Sequence, residues 1–178
     1  MPYRTATPDD APAIASLLNR AYRPAKGLAG WTHESHLVQG ERANTAQVAA
    51  VLASRASTIL RLEQDGELIA CIQAERDGDD VHFGMFAVTP AKQAGGLGKT
   101  LLAAAEVWAR EQWHSRRALM SVIIARTELT DFYLRRGYRR TSQMLPYPQG
   151  AGVGTPFQAE LPLTVLAKTL QSNQDTHA

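Results

Sequence analysis

Residues Phe86–Leu102 read FAVTPAKQAGGLGKTLL, and the interpretation of this stretch decides the fold. Phe86, Ala87 and Val88 close an apolar, β-favouring run that begins at Val81. Pro90 has no N–H to give a ladder, so it ends that strand. Gln93-Ala94-Gly95-Gly96-Leu97-Gly98-Lys99 follows. Leu101, Leu102, Ala105, Trp108 and Ala109 then recur at helical spacing. The first N–H groups of a helix have no intrahelical partner, and the helix dipole adds positive potential there. Strand, turn, glycine loop and helix therefore predict an anion site, most naturally for phosphate.

Three readings of the loop compete. Gly98-Lys99-Thr100 ends like a Walker A motif, but that motif needs glycine five residues before Gly98, where Gln93 stands. No later strand ends in an aspartate for magnesium, either. A tight strand-to-helix turn without a ligand is the second reading. Three glycines in the four residues 95–98, at the helix start, weigh against it. The third reading is a resemblance. Val88-x-Pro90-x-x-Gln93-x-x-Gly96-x-Gly98 resembles the acetyl-CoA pyrophosphate loop of the GNAT N-acetyltransferase family, Gln/Arg-x-x-Gly-x-Gly/Ala.

Bulk properties set the frame. The chain has 178 residues, 44 % hydrophobic and 20 % charged, which suits one domain with a sizeable core. The domain is expected over residues 1–170, with 171–178 a frayed tail. A formal charge of +2 is too small to argue for nucleic acid. Arg135, Arg136, Arg139 and Arg140 cluster late, but no basic stripe is interleaved with aromatics. Cys71, the one cysteine, excludes an internal disulfide framework and reads as a small buried hydrophobe. No apolar run reaches membrane-span length, and the first fifteen residues lack the apolar core of a signal peptide. The expectation is a cytoplasmic protein with no membrane and no nucleic-acid partner.

Outward from the loop, the pattern predicts a strand at 2–6 and a helix start at Thr7-Pro8-Asp9-Asp10 with Thr7 as cap. Ile14, Leu17, Leu18, Ala21 and Tyr22 give that helix its apolar face. Residues 23–44 lose all periodicity, apart from a short helix expected at 33–39. Helical character returns at 45–53. Strands at 57–63, 67–76 and 81–88 form a meander turned at Asp65-Gly66 and Asp77-Gly78. After the helix at 97–113 comes a nearly continuous apolar strand at 117–125, expected to be buried on both faces. Thr127 caps a helix reaching Arg136, and Gly137 stops it. Strands at 138–145 and 163–170 flank a loop at 146–154 rich in proline and glycine.

The resulting order, β-α-α-β-β-β-α-β-α-β-β, is that of the GNAT fold. The resemblance implies an α/β (α+β type) protein with a mixed, mostly antiparallel seven-stranded sheet and helices on both faces. It also implies that the fourth and fifth strands splay apart and that acetyl-CoA enters the wedge. Phe86, Ala87 and Val88 would then pair with pantetheine, and a backbone N–H near Val88 would polarise the thioester carbonyl. Gln93, Ala94, Gly95, Gly96, Leu97, Gly98 and Lys99 would hold the pyrophosphate. Phe132-Tyr133-Leu134-Arg135-Arg136-Gly137-Tyr138 resembles the family's Tyr-x-x-x-Gly-Phe motif, which makes Tyr133 the proton donor to the departing thiolate. On periodicity alone Tyr133 reads equally as a core aromatic.

Two positions depart from the family pattern. Arg126 stands where many relatives carry asparagine, and it is carried forward as a cofactor-binding candidate. Ser121 stands where some protein N-terminal acetyltransferases carry a glutamate base. The base is thus unassigned among His33, Glu34, His36, Glu75, His82 and a water chain. His33-Glu34-Ser35-His36 lacks the four-residue spacing of a helical zinc pair, so no metal is expected. In the family the 23–44 region and the 146–154 loop border the acceptor pocket, which nominates Trp31, Glu34, His36 and Tyr147 as acceptor-binding residues. The expected activity is acetyl transfer from acetyl-CoA to a primary amine, on a small molecule, by direct attack in a ternary complex. A non-catalytic CoA-binding module and a protein lysine or N-terminal acetyltransferase are the alternatives. A homodimer is a family-level expectation.

Overall fold

The main sheet holds seven strands: β1 (Tyr3–Thr5), β3 (Ser57–Gln64), β4 (Glu67–Asp77), β5 (Asp80–Val88), β6 (Arg117–Ile123), β9 (Leu163–Thr169) and β7 (Arg139–Leu145), in that spatial order. The computed structural model describes residues 3–170, so the expected frayed tail lies outside the described residues. β5 and β6 pair in parallel, and every other ladder of the sheet is antiparallel. Two short strands, β2 (Val38–Gln39) and β8 (Thr155–Pro156), pair apart from it. The β3–β4 turn places Asp65 and Gly66 both at positive φ, as a tight hairpin demands.

The strand pleat divides two cores. Ala70, Ile72 and Ala74 of β4 face one core. It is completed by Leu101, Leu102, Ala105 and Ala109 of α3 (Leu97–Trp113) and by Tyr133 of α4 (Thr127–Leu134). Cys71, between them in sequence, faces the other core. There it meets Ile14, Leu17 and Leu18 of α1 (Ala11–Tyr22) and Val48 of α2 (Thr45–Ala53). Helices therefore cover both faces, as the resemblance implies. Burial pushes the Cys71 thiol up to about 12, so it is an inert packing group.

Three local expectations are corrected. The short helix at 33–39 does not form; Val38 and Gln39 pair with Pro156 and Thr155 instead. Thr127 is the first residue of α4 rather than its cap, and Arg126 occupies the cap position without a side-chain cap bond. Pro8–Asp10 is a 3-10 turn, and α1 starts at Ala11. The Asp10 carboxylate accepts from the Thr7 N–H and from Arg4, both at 2.8 Å. Chiefly through the Arg4 bond, this holds its pKa at about 2. Strand β6 is buried along most of its length, but Arg117 and Ser121 are exposed.

One break in the sheet positions the site. β5 and β6 pair from Asp80↔Arg117 to Phe83↔Met120 and no further. Against β4, the register steps from Gln73↔Gly84 to Cys71↔Ala87, so two β5 residues face one. Met85, inside this bulge, takes φ +42°. Beyond Phe83 the edge of β5 turned away from β4 is free, and the two strands diverge into a wedge.

Candidate active site

The wedge holds two cavities. The first, about 70 Å³, is lined by Phe86, Ala87, Val88, Gln93 and Gly98 on the strand-loop side. Trp31, Thr32, Phe132 and Tyr133 line its other wall. The second, about 130 Å³, opens between Met85 of β5 and Ser121 of β6 and is walled by Glu34, Arg42, Tyr147 and Val153. Tyr22, Phe86, Arg126, Leu129 and Tyr133 line both. For scale, a cavity of about 150 Å³ accepts a benzene ring. Each therefore has room for no more than a small group.

The glycine loop folds as expected, with one refinement. Pro90–Gly95 form a 3-10 turn, Gly96 takes φ +79°, and α3 begins at Leu97. Leu97, Gly98 and Lys99 form the open first turn, and the Thr100 N–H is the first to return, to the Gly96 carbonyl at 3.1 Å. A Cβ on Gly95 or Gly96 would meet nothing within 4 Å, so the approach to this turn is clear. Ala94 and Lys99 are exposed beside it. Gly98 is buried against the first cavity, where a Cβ would lie 3.6 Å from both Phe86 and Phe132. Gln93 turns inward: its amide accepts from the Thr32 N–H at 3.3 Å and donates to the Val88 carbonyl at 3.3 Å. It thus ties the 23–44 loop to the end of β5.

Tyr133 lies where the two cavities meet. It is 3 % exposed and packs against Phe132, Phe86 and Tyr138 with ring centroids 5.2–6.4 Å apart. Its hydroxyl makes no hydrogen bond among the described residues. Burial raises the phenol pKa, so at neutral pH it is a protonated donor. Helix α4 fixes this placement. α4 ends at Leu134, short of the expected Arg136, and Gly137, at φ +89°, closes the turn that follows it; Arg136 donates to the Phe132 carbonyl at 2.6 Å while stacking 3.5 Å over the Phe132 ring.

Arg126 is buried and central. Its Nη2 donates to Thr32 Oγ1 at 2.7 Å, and its Nη1 lies 3.4 Å from Glu34 Oε2. Glu34 Oε1 accepts from Arg23 at 2.6 Å. The same Arg23 nitrogen donates to the Val153 carbonyl at 2.9 Å, and the Tyr147 hydroxyl donates to that carbonyl at 2.7 Å. Loops 23–44 and 146–154 are thus bound together through Glu34, Arg23 and Tyr147, and the β2–β8 ladder closes the same seam.

Of the acceptor candidates, Glu34 and Tyr147 line the second cavity. Trp31 does not: it stands over the first, 6.0 Å from the Phe132 ring. His36 is exposed, lines neither cavity and packs edge-on against His33. Burial lowers the His33 pKa, and its Nδ1 lies 2.7 Å from Ser35 Oγ. Glu75 and His82 pair across β4 and β5 in the closed half of the sheet, away from both cavities. Among the described residues no group of three His, Cys, Asp or Glu side chains could hold a metal. Sequence reading did not single out Arg23, Thr32, Arg42 or Phe132 for the site. The side-chain partners of Arg23, Thr32 and Arg42 lie well away along the chain, and Phe132 reads from sequence only as a neighbour of Tyr133 on its helix.

A family model described as the acetyltransferase (GNAT) domain matches residues 31–146, more than half of the chain. The chain belongs to the GNAT acetyltransferase family. This family transfers acetyl groups from acetyl-CoA, and the open first turn of α3 beside the free edge of β5 suits that substrate. Solved structures similar to this acetyltransferase include a ribosomal-protein alanine N-acetyltransferase from Escherichia coli, at 15 % identity, TM-score 0.71 and coverage of 99 % of this chain and 98 % of that one. A ribosomal-protein-alanine N-acetyltransferase from Brucella melitensis shares 20 % identity at TM-score 0.70, covering 96 % and 100 %. A spermidine N-acetyltransferase from Vibrio cholerae shares 12 % at TM-score 0.67, covering 96 % and 95 %. Likeness at such identities is a likeness of fold. No curated protein matches the chain. No helix among the described residues is long and apolar enough to cross a membrane.

Proposed function

We propose that this acetyltransferase acetylates the primary amine of a small molecule by direct attack within a ternary complex. The observation that carries the reading is the pair of cavities sharing Tyr133 as a common wall. The first cavity and the α3 turn take acetyl-CoA: the N–H groups of 97–99 receive phosphate, Lys99 adds charge, and the free edge of 86–88 receives pantetheine. Arg126 contributes positive charge to the walls of both cavities. The second cavity takes the amine. Its nitrogen forms a bond to the acetyl carbon as the carbon–sulfur bond breaks. One amine proton leaves to water, and the departing thiolate takes a proton from Tyr133, which water replaces.

Two features favour a small acceptor over a polypeptide. The second cavity admits a side-chain-sized group, and the loops that wall it are laced together rather than parted into a groove. The test is acetyl-CoA consumption by the purified protein across a panel of small amines and peptide N-termini. Turnover with at least one small amine supports the reading; turnover confined to peptides, or none at all, contradicts it.

A further inference from the structure

The acceptor cavity is electrically lopsided. Three guanidiniums, Arg23, Arg42 and Arg126, stand in or directly behind its wall with two carboxylates, Glu34 and, 3.6 Å from Arg126, Glu128. Glu34 is already engaged, by Arg23 at 2.6 Å and Arg126 at 3.4 Å. Arg126 also donates to Thr32. Arg42 differs from both. It is half-buried, lines the cavity, and its guanidinium makes no hydrogen bond and no ion pair among the described residues. It lies over the Tyr22 ring at 5.0 Å, which fixes its place without neutralising it. The backbone beneath is anchored, since the Arg42 and Ala43 N–H groups both donate to Asn19 Oδ1 at 2.7 and 3.2 Å. Its field reaches the neighbouring phenols: against burial, which raises both, Arg42 lowers the pKa values of Tyr22 and Tyr147.

We propose that the acceptor amine also carries an anionic group, a carboxylate or a phosphate, and that Arg42 is the residue that receives it. This rests on the acetyl-transfer reading above. A planar guanidinium with free donors offers the fork that carboxylate and phosphate oxygens match. Elsewhere Phe83, Met85, Met120, Val122 and Leu163 give the wall an apolar stretch that would accept an uncharged side chain. The same excess of positive charge serves the chemistry. An amine arrives as ammonium, and nearby guanidiniums favour its neutral, nucleophilic form. That matters here because Ser121 offers no carboxylate and Glu34 is held by two arginines. A polycationic amine, by contrast, would meet like charge.

Matched amines test this: methionine against methioninamide, phosphoethanolamine against ethanolamine, and spermidine as a polycation, each with acetyl-CoA and the full chain. In at least one pair the anionic member should show kcat/KM roughly 10- to 100-fold above its neutral partner, the range of a charged hydrogen bond. Arg42→Ala should erase that preference through KM rather than kcat, and Arg42→Lys should keep part of it. Should Arg42→Ala fail to fold, Arg42→Gln removes the charge with less loss of packing. Which pair responds tells carboxylate from phosphate. Equal or better turnover of the neutral amines or spermidine, or a preference that survives in Arg42→Ala or Arg42→Gln, overturns the inference and leaves acetyl transfer standing. Failure of every amine overturns both, whether or not acetyl-CoA stabilises the protein.

Discussion

The two halves of the β5–β6 seam behave in opposite ways. From Asp80 to Phe83 the strands are laddered, and Arg117 clamps Asp80 with two hydrogen bonds of 2.9 and 2.6 Å. From Gly84 onward the ladder is absent, β5 bulges at Met85, and two cavities fill the gap. The closed half is ordinary sheet, held by the regular backbone ladder between β5 and β6 and by that clamp. The open half is held by side chains reaching across the molecule, such as Arg23 to Val153 and Arg126 to Thr32. The sheet makes room for two cavities by leaving strands unpaired at one end while secured at the other. The open end must then be propped by contacts of long sequence separation.

If that contrast holds, the largest effect on stability comes from cutting a prop at the open end. Arg23→Ala leaves buried Glu34 with Arg126 at 3.4 Å as its remaining partner. Breaking a buried pair in this way costs about 3 kcal/mol. Thermal unfolding should show Tm lowered by roughly 6–12 °C. A Tm within a degree or so of wild type would mean that the charged seam contributes little.

Next comes the first cavity. Gly98→Ala fits, because its Cβ would make ordinary contacts of 3.6–3.7 Å with Phe86, Phe132 and Val88. Gly98→Leu extends into the space those residues enclose. Acetyl-CoA at a hundred times its Kd should stabilise wild type by about 2.7 kcal/mol, a Tm shift of roughly 5–11 °C. That shift should survive in Gly98→Ala and vanish in Gly98→Leu. Retention in Gly98→Leu would move the acetyl-CoA site elsewhere.

The closed end should respond least. Asp80→Asn removes a partly exposed ion pair worth about 1 kcal/mol or less. The Arg117 hydrogen bond lowers the Asp80 pKa in the folded protein. Its contribution is therefore present above the carboxylate's unfolded pKa and lost as pH falls through the lowered, folded value. In acid unfolding, wild type and Asp80→Asn should differ slightly near neutrality and converge below about pH 4. A loss at neutral pH as large as that of Arg23→Ala would erase the contrast between the two ends.

What could be read from the sequence follows the same division. Strand β5, the glycine turn, α3 and α4 were legible because proline, glycine and apolar periodicity act within a few residues of one another. Gly137 marks the close of the turn that follows α4 through its own φ of +89°. Tyr133 was legible only through its motif, since a core aromatic has the same periodicity. On the acceptor side the resemblance nominated Glu34 and Tyr147, which line the second cavity, but local pattern gave neither their partners nor the fold of their loops. A helix at 33–39 was the local expectation, but Glu34 is drawn to Arg23 and Arg126, and Val38 is drawn to Pro156. The β5 bulge did leave a signal, as Gly84 interrupts an otherwise apolar strand. Arg42 left none. Its place in the cavity depends on Asn19 gripping its backbone from 23 residues away and on the Tyr22 ring beneath it.

The most direct test of acetyl transfer at the junction of the two cavities is the turnover number of Tyr133→Phe. The change removes one hydroxyl that has no hydrogen bond among the described residues, so the fold should survive. With an amine that wild type acetylates, kcat should fall about 100-fold or more, the contribution of a positioned general acid, while acetyl-CoA still raises Tm as it does in wild type. An unchanged kcat would contradict the assignment of Tyr133 as proton donor and, with it, the account of the cavity junction as the place where the acetyl group changes hands.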